Sequence, residues 1–339
     1  MLKGHGDDRH LFDHEIIADF SSNVIADHPL LLPKSIQESC WKSIVRYPEP
    51  NGETLSKALA NFHKISKEQV LVTNGATEAF YLLAKTFENQ SATIFIPTFS
   101  EYQDACHIHH IKTTLIPWDE YTINVKLESN LIFICNPNNP TGHSTPIDQI
   151  SYLLKKYPNR YLVIDEAYID FSDQCQSVLS LIEDYPNLIV IKSLTKSFAI
   201  AGLRLGYILA NASIINKIVK NKMPWSTNSM ALNIGLYLIK NHKKLLFNKV
   251  QLRKQTELFR AEINLIPKIK ALPTTTNFFL IYLYSEKAAD LKFFLLKEHG
   301  ILIRDASNFE GLNSSYCRLA CQTVKKNHLL IEALKQWMY

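Results

Sequence analysis

The hydrophobic positions of this chain follow two regimes. From about Gln69 to Tyr207, short β-branched or aromatic runs alternate with stretches of helical periodicity: VLVTN at 70–74, ATIFIP at 92–97, NLIFICNP at 130–137, RYLVIDEA at 160–167 and NLIVIKSL at 187–194. Runs such as LIFIC and YLVI are apolar on both faces, so the alternation predicts βαβ units around a buried parallel sheet. After Trp225 the pattern becomes a long helical region to about Ile263, rich in Lys, Leu and Asn. A second unit follows, with strands predicted at 277–283, 300–305 and 316–321 and helices near 286–298 and 323–337, an α+β pattern.

Composition adds bounds. The 339 residues are 46% hydrophobic and 20% charged, ordinary globular statistics for one large domain plus a smaller one. A net charge of +5 comes from 37 basic and 32 acidic residues. These are spread along the chain, with no basic run to bind nucleic acid. Six cysteines without a C-x-x-C pair read as buried free thiols, which suggests a reducing, cytoplasmic setting. Residues Met1 to Arg9 alternate charge and glycine, and no apolar run reaches eighteen residues, so a soluble, unsecreted protein without membrane partners is expected.

Ligands of open α/β sheets bind beyond the carboxyl ends of the strands, so the residues that close each strand are where chemistry is sought. Those closures are Asn74-Gly75-Ala76-Thr77-Glu78, Pro97-Thr98-Phe99-Ser100-Glu101-Tyr102, Asn136-Pro137-Asn138-Asn139-Pro140-Thr141-Gly142, Asp165-Glu166-Ala167-Tyr168, and Ser193-Leu194-Thr195-Lys196 followed by Arg204. The triplet His107, His109 and His110 has no acidic or cysteine partner at ligand spacing, so no metal is expected.

In this order and spacing, N-P-x-N-P-T-G, D-E-A-Y and S-x-[ST]-K with an arginine eight residues on resemble the class I and II aminotransferases. The resemblance implies the fold type I architecture of enzymes that use pyridoxal phosphate: a mostly parallel seven-stranded sheet between helices, plus a smaller α+β domain. Residues 1–45 are then an N-terminal arm and part of the small domain, 46–240 the large cofactor-binding domain, and 241–339 the C-terminal small domain.

Such a cofactor needs an amine, an acid at its ring nitrogen and donors to its phosphate. Lys196 follows a strand amid hydroxyls and is the expected Schiff-base amine. Asp165 closes an apolar strand, where a carboxylate is costly unless a cation such as a protonated pyridine nitrogen pairs with it. Ala76 and Thr77 begin a helix whose free N–H groups suit a phosphate, although Thr77 also fits an N-cap. The resemblance implies that Ser193, Thr195 and Arg204 complete the phosphate site. It also implies that Asn139 and Tyr168 bond the cofactor's phenolic oxygen, that Tyr102 stacks on its face with Phe99 as further aromatic surface, and that Tyr47 reaches the phosphate of a neighbouring subunit in a homodimer. The alternative for Asn139 is a turn-forming residue before Pro140.

Arg318 lies inside the apolar run YCRLAC and matches the family's carboxylate-binding arginine; its alternative is a structural ion pair. Within the family the chain resembles the histidinol-phosphate aminotransferase branch. Gly4-His5-Gly6-Asp7-Asp8, Asp19-Phe20-Ser21-Ser22-Asn23 and the segment from Ile303 to Leu312 are similar to threonine-phosphate decarboxylase of cobalamin synthesis. That similarity implies substrate contacts from His5, Asn23 and Arg304, with a disordered terminus the alternative for His5 and a structural carboxylate the alternative for Arg304. The expected activity is decarboxylation of O-phospho-L-threonine to aminopropanol phosphate. The second reading is histidinol-phosphate transamination, and the third a non-catalytic protein of the same fold.

Overall fold

The computed structural model describes residues 6–13, 15–25, 30–118 and 125–338. Its elements begin with strand β1 (Ala18–Asp19), helices α1 (Lys34–Ser43) and α2 (Glu53–His63), β2 (Val70–Thr73), α3 (Gly75–Thr86), β3 (Ser91–Ile96), α4 (Glu101–Ile108), β4 (Lys112–Pro117) and β5 (Leu131–Cys135). Then come α5 (Ile147–Lys156), β6 (Tyr161–Asp165), β7 (Leu188–Ser193), β8 (Gly206–Ala210), α6 (Ala212–Val219), α7 (Ser229–Lys240), α8 (His242–Leu245) and α9 (Lys249–Ile263). The chain ends with β9 (Ile269–Ala271), β10 (Phe278–Leu283), α10 (Ala288–His299), β11 (Ile301–Leu302), β12 (Arg304–Asp305), β13 (Tyr316–Ala320) and α11 (Val324–Met338).

The larger sheet has seven strands in the order β2-β8-β7-β6-β5-β3-β4. It is parallel from β4 to β7, and β8 runs antiparallel between β7 and β2. Alternate residues of its central strands feed two cores. Ile132, Ile134, Leu162 and Val190 pack with the α2, α5 and α7 side, and Phe133, Val163, Ile189 and Ile191 with the α3, α4 and α6 side. Burial on both faces is why these runs read as unbroken apolar stretches.

Two strands of this larger sheet escape the sequence pattern. Strand β4 is the edge, half-exposed along its length, and β8 is a short run that starts on glycine just after Arg204. The helical region expected from Trp225 to Ile263 is divided into α7, α8 and α9, because its asparagines act as caps: Asn228 accepts from Ala231 N–H and Asn248 from Gln251 N–H.

The second unit has a sheet ordered β12-β13-β10-β9, covered by α9, α10 and α11 around Phe259, Phe279, Leu295 and Leu330. The segment expected to form one strand at 300–305 serves two sheets. Ile301–Leu302 pairs in parallel with β1, and Arg304–Asp305 with β13. Residues 18–25 thereby return to the second unit before crossing to the first. Ala320 N–H donates to Phe20 O, and Ile25 N–H donates to Lys196 O at 3.1 Å.

Candidate active site

The carboxyl ends of β2, β3, β5, β6 and β7 share one edge of the large sheet, and the bridging segment 20–25 and strands β12 and β13 approach that edge from the second unit. Between them lies a cavity of about 410 Å³ lined by Asn23, Thr77, Phe99, Asn139, Tyr168, Lys196, Arg304 and Arg318, together with Gly6 and Asp7 of the arm. Ala76, Asp165, Ser193, Thr195 and Arg204 are not on its wall. His5 lies outside the described residues.

Lys196 reaches the cavity from the loop after β7. Burial, followed by the nearby charges of Arg204 and Arg318, brings its ammonium pKa down to about 8. Asp165 ends β6 and is 4% exposed. Burial raises its carboxyl to about 6, while hydrogen bonds from the Tyr102 hydroxyl (2.5 Å) and the Ala167 N–H (2.9 Å) oppose that rise. Tyr168, three residues on, is buried edge-on against Phe278, and its hydroxyl accepts from Asn23 Nδ2 at 3.3 Å. Burial pushes that phenol up to about 12, so it stays protonated at neutral pH.

Helix α3 starts at Gly75 with φ +77° and no side-chain cap. Asn74 is its N-cap residue, so Thr77 falls in the first turn and is not the cap. The Arg204 guanidinium packs over this turn: a Cβ added at Gly75 would lie 2.6 Å from Arg204 Nη2. A cation at the positive end of a helix is repelled unless an anion lies between them. Ser193 Oγ and Thr195 Oγ1 are 2.7 Å apart beside this turn's strand neighbours, so hydroxyls, helix N–H groups and guanidinium form a donor set suited to a phosphate.

Arg318 is 5% exposed and lies over the Phe278 ring. It donates to Asn139 Oδ1 at 2.6 Å and to the Ser21 carbonyl at 2.5 Å, and its Nε has no hydrogen-bond partner among the described residues. Burial lowers its pKa to about 10, which leaves it charged. Arg304 stands directly opposite it in the β12–β13 register, donates to Asn308 Oδ1 at 2.8 Å and stacks over Phe309.

One placement differs from the sequence expectation. Tyr102 is 1% exposed behind the wall, stacked on Phe133 with 13° between the rings and bonded to Asp165, so it does not present a face to the cavity. Phe99, three residues earlier, supplies that aromatic wall. Phe99 lies just before α4 and Tyr102 in its first turn, and their order along the chain does not reveal which faces inward. Tyr47 is 87% exposed, beside Trp225, and away from this chain's own cavity. Gly6, Asp7, Asn308 and Phe309 on the wall were not singled out individually; the similar segments that contain them were their signal.

The family model for aminotransferase class I and II matches residues 17–334. A putative threonine-phosphate decarboxylase of Caldanaerobacter subterraneus subsp. tengcongensis is 32% identical over 91% of this chain and 88% of its own length. The histidinol-phosphate aminotransferase of Thermoanaerobacter pseudethanolicus is 33% identical over 89% of this chain and 88% of its own. Among solved structures, L-threonine-O-3-phosphate decarboxylase from Porphyromonas gingivalis superposes with a TM-score of 0.91 at 31% identity, covering 95% of this chain and 99% of that one. The chain belongs to the class I and II aminotransferases and is a pyridoxal-phosphate enzyme of fold type I.

Proposed function

We propose that this enzyme decarboxylates a phosphorylated amino acid, O-phospho-L-threonine, to aminopropanol phosphate and carbon dioxide. The observation that carries the reading is the placing of Arg304 opposite Arg318 on adjacent strands at the cavity. Like charges in register destabilise a sheet unless an anion offsets them, and a substrate with a carboxylate and a phosphate offers one to each guanidinium. The similarity to the decarboxylases of Caldanaerobacter and Porphyromonas supports the same choice.

The residues present fit the cofactor. The uncapped turn of α3 with Ala76 and Thr77, the hydroxyls of Ser193 and Thr195, and Arg204 would hold its phosphate. Asp165 would face its ring nitrogen, Asn139 and Tyr168 its phenolic oxygen, and Phe99 its ring face. When bound, pyridoxal phosphate supplies an electron sink for the charge left at the substrate's Cα. Arg318 orients the substrate carboxylate through two parallel hydrogen bonds, and Asn23 and Arg304 hold the substrate's far end. Lys196 Nζ, with its pKa near 8, can carry a proton at neutral pH and return it to Cα after carbon dioxide leaves. The arm, with Gly6 and Asp7 on the wall, limits water at the scissile bond.

A second reading, transamination of histidinol phosphate, is favoured by the relative from Thermoanaerobacter. It uses the same lysine to move the Cα proton. The third, a non-catalytic protein of this fold, is not favoured, since Lys196, Asp165 and Arg318 are all present.

Two copies sharing sites complete the proposal. Tyr47 lies in an exposed apolar patch with Ile44, Val45 and Trp225, and a second copy would cover that patch and take up the hydroxyl at its own cofactor phosphate. Six buried free cysteines fit a cytoplasmic setting, and among the described residues no helix is long and apolar enough to cross a membrane.

The deciding experiment is a paired assay on cofactor-loaded protein: carbon dioxide from O-phospho-L-threonine, and glutamate from histidinol phosphate with 2-oxoglutarate. Carbon dioxide without glutamate is expected; glutamate without carbon dioxide would replace this reading with the second one.

A further inference from the structure

Tyr102 is the largest of the fully buried side chains among the described residues. Its ring is fixed on three sides: Phe133 stacked at 5.3 Å, Phe80 edge-on at 4.8 Å and Phe99 edge-on at 5.8 Å. The hydroxyl of this confined ring donates to Asp165 Oδ2 at 2.5 Å. On the same side Cys135 Sγ makes a long contact of 4.0 Å to that oxygen and a closer one of 3.3 Å to Pro137 O, so the thiol is a weak substitute. The other carboxylate oxygen accepts only the Ala167 N–H.

We propose that Tyr102 is a positioning residue for Asp165: its hydroxyl aims the carboxylate and keeps it ionised to pair with the protonated ring nitrogen of the cofactor. This rests on the reading of Asp165 as the acid at that nitrogen. A buried carboxylate tends to take up a proton, and a neutral Asp165 can no longer stabilise a positive charge on the ring. The Tyr102 hydroxyl is the shorter of the two side-chain contacts to Oδ2, and a change to phenylalanine removes it. Burial and the Asp165 charge drive the phenol's own pKa far up, so its proton stays on oxygen and the hydroxyl remains a donor throughout the working pH range. The sequence Phe99-Ser100-Glu101-Tyr102 therefore divides two duties three residues apart: the first ring forms the cavity wall, and the second serves the acid behind it.

The test compares dissociation constants of the full-length, cofactor-stripped chain for pyridoxal phosphate and for the analogue with carbon in place of the ring nitrogen. Tyr102→Phe is expected to weaken pyridoxal phosphate roughly tenfold while leaving the analogue's affinity unchanged, because only the first ligand uses the ionised carboxylate. Equal weakening of both ligands would make Tyr102 merely structural, and no change in either would remove it from the site; both results overturn the inference. Asp165→Asn separates the underlying reading: it should abolish the wild-type preference for the ring nitrogen, and a preference that survives in Asp165→Asn sinks the role of Asp165 itself. If Tyr102→Phe does not fold, a ring-fluorinated tyrosine placed at 102 alone keeps the packing and strengthens the donor. The affinity ratio then shifts the opposite way, and an unmoved ratio overturns the inference.

Discussion

At the scale of single residues, the site consists of charges kept out of water until partners arrive. Lys196, with its pKa lowered to about 8 by burial and two arginines, differs from a surface lysine in when its amine becomes neutral. The rate at which cofactor-free protein captures pyridoxal phosphate should climb with pH and level off just above 8, where an ordinary lysine would still be gaining. Stopped-flow absorbance across the alkaline range measures this, and a plateau only beyond pH 10 would contradict it. Asp165 carries the opposite sign. Its folded pKa of about 6 exceeds the usual 3.8, so the cofactor-free fold binds its proton more tightly than the unfolded chain does. Stability from this group is present below 3.8 and is lost as pH rises through about 6. Asp165→Asn should therefore stabilise the cofactor-free protein at neutral pH, on the order of 1–3 kcal/mol, with the gain disappearing in acid. Thermal unfolding at the two pH values tests this. A variant that is more stable but functionally impaired would mark Asp165 as a group retained for the cofactor.

At the scale of elements, helix α3 shows what glycine contributes to an anion site. Gly75 combines a left-handed backbone with a guanidinium where its side chain would be. Gly75→Ala should cost about 1–2 kcal/mol in unfolding free energy from the backbone alone. By displacing Arg204 it should also weaken the affinity for pyridoxal phosphate more than that for its dephosphorylated form. The arm is tied down at a second place. Asp8 accepts from Lys292 Nζ at 2.5 Å, both side chains largely shielded, and Lys292 lies over the Phe12 ring. Lys292→Met should loosen the arm and raise KM severalfold with kcat nearly unchanged; a fall in kcat at constant KM would mean that the tie serves the chemistry instead. Much of the element-level picture was legible because strands buried on both faces announce themselves: LIFIC, YLVID and LIVIKS are where the sequence pattern indicates them. Strand β4 was not legible, since a half-exposed edge lacks that pattern, and neither was the division of 300–305 between two sheets, which depends on β1 arriving from far away in the chain. The candidate site was legible as motifs at strand ends. Which of Phe99 and Tyr102 faces the cavity depends on how α4 turns, a rotation that the spacing of two aromatics leaves open.

At the scale of the whole molecule, the arrangement of Tyr47 raises a question that one chain does not answer. Its hydroxyl-bearing ring is 87% exposed on a patch shared with Trp225, while the groups that would bind the cofactor's phosphate gather elsewhere in the same chain. An isolated copy would leave Ile44, Val45, Tyr47 and Trp225 in water. If two copies bury these patches symmetrically, each site combines Lys196 of one copy with Tyr47 of the other, and damage to the two residues becomes separable between chains. Lys196→Ala has no amine to carry the chemistry, and Tyr47→Ala lacks one contact to the phosphate in every site it forms with itself. Mixed and allowed to exchange, the two variants should recover about a quarter of wild-type sites, because half of the dimers are mixed and each mixed dimer contains one site with both residues intact. Sedimentation of the mixture shows whether the copies associate, and activity against the mixing ratio shows whether they share sites. A dimer whose equal mixture shows only half the activity of the Tyr47→Ala parent would leave Tyr47 as an interface residue with no part in the neighbouring site, and a monomer would leave the exposed patch for a different partner.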